Sequence, residues 1–208
     1  MRENEIMKDK TASVYLAHPY MQSLNHAIYY RVLETLNRGK VETFSHDLYN
    51  EGFNPLLTVG ELGFDESKDP LVLQYAEELL ESDLLIFIHP NWWGQPPAIL
   101  KGWIDRVIRP PYAYDYPPEL SPGDPPVQKL SDKVGMVFNT SNTPGPRENS
   151  YFGDPLENTW KQCIFGFCGI QMSYRTMFRT VAGSSQEIRE GWLDEVEAAV
   201  AGEINKMP

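Results

Sequence analysis

Residues 84–108, LLIFIHPNWWGQPPAILKGWIDRVI, constrain the fold more than any other stretch. Leu84 to Ile88 make an apolar run too short for a helix and bounded at both ends, the pattern of a buried strand. A polar, aromatic turn follows, His89-Pro90-Asn91-Trp92-Trp93-Gly94. Pro96 and Pro97 then open a helix, because the N–H groups of a first turn have no internal acceptor and lose nothing to proline. On that helix Ile99, Leu100, Trp103, Ile104, Val107 and Ile108 recur at three-and-four spacing, so one face is apolar. Strand, turn and amphipathic helix make a βα unit, and in open α/β sheets ligands sit just beyond the carboxyl ends of the strands. The turn therefore predicts Trp92, Trp93 and Gly94 as one wall of a flat ligand site. Two adjacent tryptophans beside a proline-led helix could instead plug a core. The outward-pointing backbone N–H groups expected at such a turn favour the ligand.

The remaining segments repeat this unit. Residues 1–12 read as a flexible tail and 13–208 as one domain. Ser13 to Ala17 is the first strand, and Ser23 or Asn25 caps a helix running to about Asn37, with Gly39 as its left-handed stop. Val41 to Ser45 is the second strand, and residues 46–69 form a long irregular stretch of the kind that carries function or moves. Asp69-Pro70 starts a second helix to about Ser82. After Arg109 the chain is rich in proline to Pro126, neither regular helix nor central strand, and suits a lid or an oligomer contact. Lys133 to Asn139 is the fourth strand, Pro155 to Phe165 a helix, and Cys168 to Met177 the fifth strand. Ser184 or Ser185 caps a last helix to about Lys206. Alternating strands and helices predict an α/β fold, a doubly wound five-stranded parallel sheet in the order 2-1-3-4-5. The turns after strands 1, 3 and 4 then meet at one crevice.

Charge narrows the partners. Eighteen Lys and Arg against 29 Asp and Glu leave a net charge of −11, which repels a nucleic-acid backbone. Cys163 and Cys168 fit no zinc spacing and read as two reduced, buried thiols, and no metal site is expected. No leader-like segment is visible and no apolar run reaches membrane-spanning length, so the chain reads as cytoplasmic and not membrane-spanning.

At the first turn His18, Ser23 and Asn25 offer polar groups beside a helix N-terminus, a combination suited to a phosphate. Glycine-rich phosphate loops are absent, and a purely capping role for Ser23 and Asn25 stays open. His89 reads as a structural, hydrogen-bonded residue at a strand end, and His26 and His46 as surface residues. Tyr112, Tyr114 and Tyr116 could line a pocket or a partner's edge, and Glu195 and Glu197 read as a solvated face.

The segments AHPYMQSLNHA, DLYNEGFNPLL, HPNWWGQPPAILKGWIDRVI and FCGIQ, in that order and spacing, resemble the flavodoxin-like NAD(P)H:quinone reductase family across roughly residues 13–192. That family includes mammalian quinone reductases, bacterial modulators of drug activity and the ancillary reductases of potassium efflux systems. The resemblance implies a flavodoxin-like fold, a bound flavin, hydride taken from NADH or NADPH, a quinone-like acceptor and a homodimer. It places His18, Leu24, Asn25 and Ala27 at the phosphate turn, with Ser23 beside them. Pro90, Asn91, Trp93 and Gly94, with Trp92, lie along the isoalloxazine edge, and Thr140, Ser141 and Asn142 face the pyrimidine side of the ring. Tyr151 sits where members place a tyrosine and is the candidate catalytic residue. Two departures stand out: Ser141-Asn142 replaces a Gly-Gly pair, and no histidine follows His89. Residues 183–186 carry no basic side chain where members binding the longer flavin can place an arginine, which favours FMN over FAD. Two other functions fit the same likeness, a regulatory subunit of a membrane transporter and a one-electron flavodoxin-type carrier.

Overall fold

The computed structural model describes residues 10–63 and 66–207. Five parallel strands form the central sheet: β1 (Thr11–Leu16), β2 (Glu42–Asp47), β3 (Leu84–Pro90), β4 (Val134–Thr140) and β5 (Gln171–Phe178), in the order β2-β1-β3-β4-β5. This is the predicted topology, that of a flavodoxin-like fold. β1 is buried throughout and so is β3, because helices cover both faces. Alternate residues of one strand therefore enter different cores. Val14, Leu16, Ile86 and Ile88 pack under α1 (Leu24–Arg38) and α6 (Gln186–Ile204). Tyr15, Phe87 and Val137 pack on the other side with Trp103 of α3 (Ala98–Val107) and Leu79 of α2 (Pro70–Glu81).

Several boundaries differ from expectation for identifiable reasons. Thr11 and Ala12, read as tail, are the first buried residues of β1, held by pairing with Glu42 and Thr43; residues 1–9 lie outside the described part. Gly39 is right-handed (φ −76°), and the left-handed residue is Lys40 (φ 55°). What position 39 requires is room: a Cβ there would lie 2.9 Å from Ile204 Cδ1. The expected helix at 155–165 starts as α5 (Pro155–Asn158) and widens into π-helical turns over Thr159–Gly166. A shorter α4 (Gly145–Arg147) likewise runs on into π-helical turns over Glu148–Phe152. The proline-rich segment folds back as a two-residue antiparallel ribbon, Tyr114–Asp115 with Val127–Gln128.

Three side chains read as surface or core are placed otherwise. His26 and His46 are both buried, and Cys163 is exposed while Cys168 is buried. His46 is enclosed because it stacks on Tyr15 and bridges two carboxylates, Glu51 through Nδ1 and Glu78 through Nε2. His26 is enclosed between the Ser23 hydroxyl and Asp47. The irregular stretch before α2 is stapled from beneath: Arg106 donates to Glu61 through Nε and Nη2 and to the Asn54 carbonyl, and Arg109 donates to the carbonyls of Glu61 and Gly63. Among the described residues no helix is long and apolar enough to cross a membrane.

Candidate flavin site

The predicted turns converge at the carboxyl edge of the sheet. Asn91 N–H donates to the Thr140 carbonyl (2.7 Å), which ties the turn after β3 to the end of β4. Asn25 Nδ2 donates to Thr140 Oγ1 (2.8 Å), which ties the first turn of α1 to the same residue across 115 positions of sequence. Ser141 N–H donates to the Phe178 carbonyl and Asn142 Oδ1 accepts from Ala182 N–H, so the turn after β4 is anchored to the chain beyond β5.

Two clefts open over these turns and meet at Asn91 and Thr143. One, of about 560 Å³, is polar and lies at the start of α1; His18, Ser23, Leu24, Asn25, Pro90, Asn91, Trp92, Thr140, Ser141 and Asn142 line it. The other, of about 510 Å³, is lined by Asn91, Trp93, Gly94, Arg147, Glu148 and Phe152 among others. Of the residues expected from sequence, Ala27 and Tyr151 line neither. Ala27 N–H closes the first helical bond to the Ser23 carbonyl. Tyr151 is 79 % exposed and stands edge-on to Phe152, and it is Phe152 that borders the second cleft. Glu148, Arg147 and Arg189 were not anticipated. Glu148 is buried and accepts from Asn91 Nδ2 (3.0 Å), a contact formed only once the π-helical turns bring it under the 90–94 turn. Tyr112, Tyr114 and Tyr116 line neither cleft.

The local geometry has plain causes. Ser23 is the N-cap of α1, its hydroxyl accepting from His26 N–H, so Asn25 is freed from capping and turns inward, 2 % exposed. Asn25 Oδ1 is buried with no hydrogen-bond partner, a cost of about 1–3 kcal/mol if it stays unmet. The first turn of α1 holds no acidic residue, and its N–H groups have no intrahelical acceptor. His18 Nδ1 accepts from Tyr20 N–H, which puts the ring proton on Nε2. Burial lowers the His18 pKa below its usual 6.5, so near neutral pH it acts as an uncharged donor. In the 90–94 turn, Trp92 and Gln95 exchange two backbone bonds of 3.1 Å, and Gly94 N–H donates to Asn91 Oδ1. Trp93 is left at φ 58° with its indole fully exposed, and Trp92 is 41 % exposed, so neither tryptophan plugs the core.

Behind the turn, His89 is completely buried. Its Nδ1–H donates to the Pro90 carbonyl, and Nε2 accepts from Asn139 Nδ2 (2.9 Å) and Trp160 Nε1 (3.0 Å). Burial, reinforced by the charge of Arg175, pushes its pKa down to about 4, so it is neutral and serves as an acceptor post. Arg175 Nε donates in turn to Asn139 Oδ1 and is clamped by Asp154 and Glu157.

This arrangement recurs in known proteins. The chain matches the flavodoxin-like fold family over residues 12–200. It is 30 % identical over 211 residues to the ribosyldihydronicotinamide dehydrogenase [quinone] of Mus musculus, covering 88 % of this chain and 87 % of that one. It belongs to the flavodoxin-like NAD(P)H:quinone reductase family. Another member of this reductase family, the NAD(P)H dehydrogenase [quinone] 1 of Rattus norvegicus, is 28 % identical over 217 residues, 92 % of this chain and 78 % of the other. Among solved structures of the fold, Smu.1420 from Streptococcus mutans UA159 superposes with a TM-score of 0.77 at 28 % identity, covering 93 % and 99 % of the two chains.

Proposed function

We propose that this reductase binds a flavin across the two joined clefts and passes hydride from NADH or NADPH to a quinone-like acceptor. The observation that carries the reading is the junction at Asn91 and Thr143 of a polar cleft at the start of α1 with an aromatic one walled by Trp93 and Phe152. A flavin has that division, a polyol phosphate at one end and a flat ring system at the other. The unpartnered Asn25 Oδ1 suits a hydroxyl-bearing ligand, and the acid-free first turn of α1 suits its phosphate.

When bound, flavin supplies the two-electron redox chemistry at its ring. This chain's residues do the positioning. The first turn of α1, with the Nε2–H of His18, holds the anionic end; Thr140 and Asn25 orient the middle through their shared bond. Ser141 and Asn142, fixed by Phe178 and Ala182, present a rigid turn where negative charge develops, so stabilising it needs no reorganisation. Trp93 and Phe152 offer flat faces that exclude water. Tyr151, exposed beside Phe152, is the proposed catalytic residue and would approach the acceptor from the rim of the aromatic cleft. Leu56, Val59 and Leu62 expose large apolar surface, which supports a homodimer.

The test is spectroscopic. Protein reconstituted with FMN should show flavin bands that NADH or NADPH bleaches and a quinone restores, with both half-reactions faster than for free flavin. Bleaching no faster than that of free FMN would end the hydride-transfer reading and leave the one-electron carrier in its place.

A further inference from the structure

We infer that Arg189 makes the polar cleft select the flavin mononucleotide by pairing with its terminal phosphate monoester. The inference rests on the flavin reading above and adds which flavin and why. Arg189 lies in the first turns of α6 and lines the cleft with His18, Gln22 and Ser23. Its Nε donates to Ser184 Oγ (2.8 Å) and its Nη2 to the Val181 carbonyl (3.0 Å). Those two bonds hold the guanidinium over the 181–184 turn and leave Nη1 as a donor that no acceptor among the described residues engages.

The charge around it is unusual for this chain. Acidic residues outnumber basic ones 29 to 18, yet no carboxylate is among the described residues lining this cleft. Arg189 is the one permanently charged side chain there, since His18 is an uncharged donor near neutral pH. Arg189 is exposed to solvent, and with no carboxylate in the lining of the cleft its guanidinium is free to pair with a ligand anion there. A phosphate monoester carries about −1.5 to −2 charge at neutral pH. Each phosphate of a dinucleotide carries one ester and one anhydride linkage and a single charge. One guanidinium therefore favours the monoester, and the sequence has no basic residue at 183–186 to favour the longer ligand.

The experiment titrates the flavin-free protein with riboflavin, FMN and FAD, following the quenching of flavin fluorescence, for wild type, Arg189→Gln and Arg189→Lys. The glutamine variant should weaken FMN roughly tenfold to a hundredfold, the loss of one charge-assisted hydrogen bond. Lysine should recover part of that, riboflavin should shift by less than about twofold, and FAD should lose clearly less than FMN. Added salt should weaken FMN binding to wild type much more than to Arg189→Gln. Unchanged FMN affinity in Arg189→Gln, an equal loss for riboflavin, or an equal loss for FAD would each overturn the inference. Wild type that binds FAD as tightly as FMN or more tightly overturns this inference alone, whereas wild type that binds none of the three flavins overturns the flavin reading itself, and this inference with it.

Discussion

Replacing Trp93 with glycine should stabilise the flavin-free protein slightly while weakening its hold on flavin. Trp93 sits at φ 58° with a relative exposure of 102 %, so its indole buries nothing that the substitution would forfeit. A left-handed backbone costs a non-glycine residue about 1–2 kcal/mol. Glycine returns about 0.4–1 kcal/mol of that by enlarging the freedom of the unfolded chain. The turn's own bonds, Trp92 with Gln95 and Gly94 with Asn91, involve neither the Trp93 side chain nor its N–H and should survive. The net expectation is a gain of about 0.5 kcal/mol, or a melting temperature higher by about 1–2 °C for a chain of this length. Losing a stacking face should cost flavin binding about 1–3 kcal/mol, roughly fivefold to a hundredfold in Kd. Differential scanning calorimetry of the flavin-free protein and fluorescence titration with FMN read the two halves separately. A fall in melting temperature of more than about 3 °C would mean that the indole packs against the fold, and an unchanged Kd would mean that it does not face the ring.

Two further predictions concern buried charge. Burial pushes the His46 imidazole down, but Glu51 and Glu78 more than reverse this and hold its pKa above the usual 6.5. Its contribution to stability is then full below 6.5 and lost as pH rises through the raised value, so the urea midpoint of wild type should fall toward that of His46→Gln between about pH 6 and pH 9; a difference that grows over that range contradicts the assignment. Arg106→Met strands the buried Glu61 carboxylate and should cost about 3–5 kcal/mol in urea unfolding, with faster proteolytic cutting between Asn54 and Gly63. Burial raises the Glu61 pKa, but Arg106, Ser67 and Thr58 together hold it down at about 2; its share of stability is present above 4.5 and lost toward 2, and acid sensitivity in that range should diminish in the variant.

What could be read from the sequence was what depends on near neighbours. The apolar run at 84–88, the three-and-four spacing at 99–108 and the turn between them are local, and β3, the 90–94 turn and α3 stand where that pattern placed them. The order of the strands followed because alternating units leave few ways to wind a parallel sheet. Hidden were contacts that exist only after the sheet has formed. Asn25 looked like a cap because asparagine often is one, and nothing near it announces Thr140 as its partner. His46 read as surface because it stood at the head of the irregular stretch, whereas β2 runs on to Asp47 and Glu78, which helps to enclose the ring, lies 32 positions away. The π-helical turns at 148–152 and 159–166 leave no mark in side-chain spacing, so nothing in the sequence announces that Glu148 and Phe152 border the cleft. Arg189 lies one helical turn beyond residues 183–186, and only its bonds to the 181–184 turn bring it to the cleft.

Lys10 Nζ donates to the Ile204 carbonyl at 2.9 Å, joining the approach to β1 to the last turn of α6. Both points lie at the amino edge of the sheet, whereas flavin and acceptor would enter at the carboxyl edge, about 20 Å away along a six-residue strand. The chain therefore enters β1 and leaves α6 at the back of the molecule. A fused reporter, an affinity handle or a tether to a surface can be carried there with the mouth of the cleft facing outward.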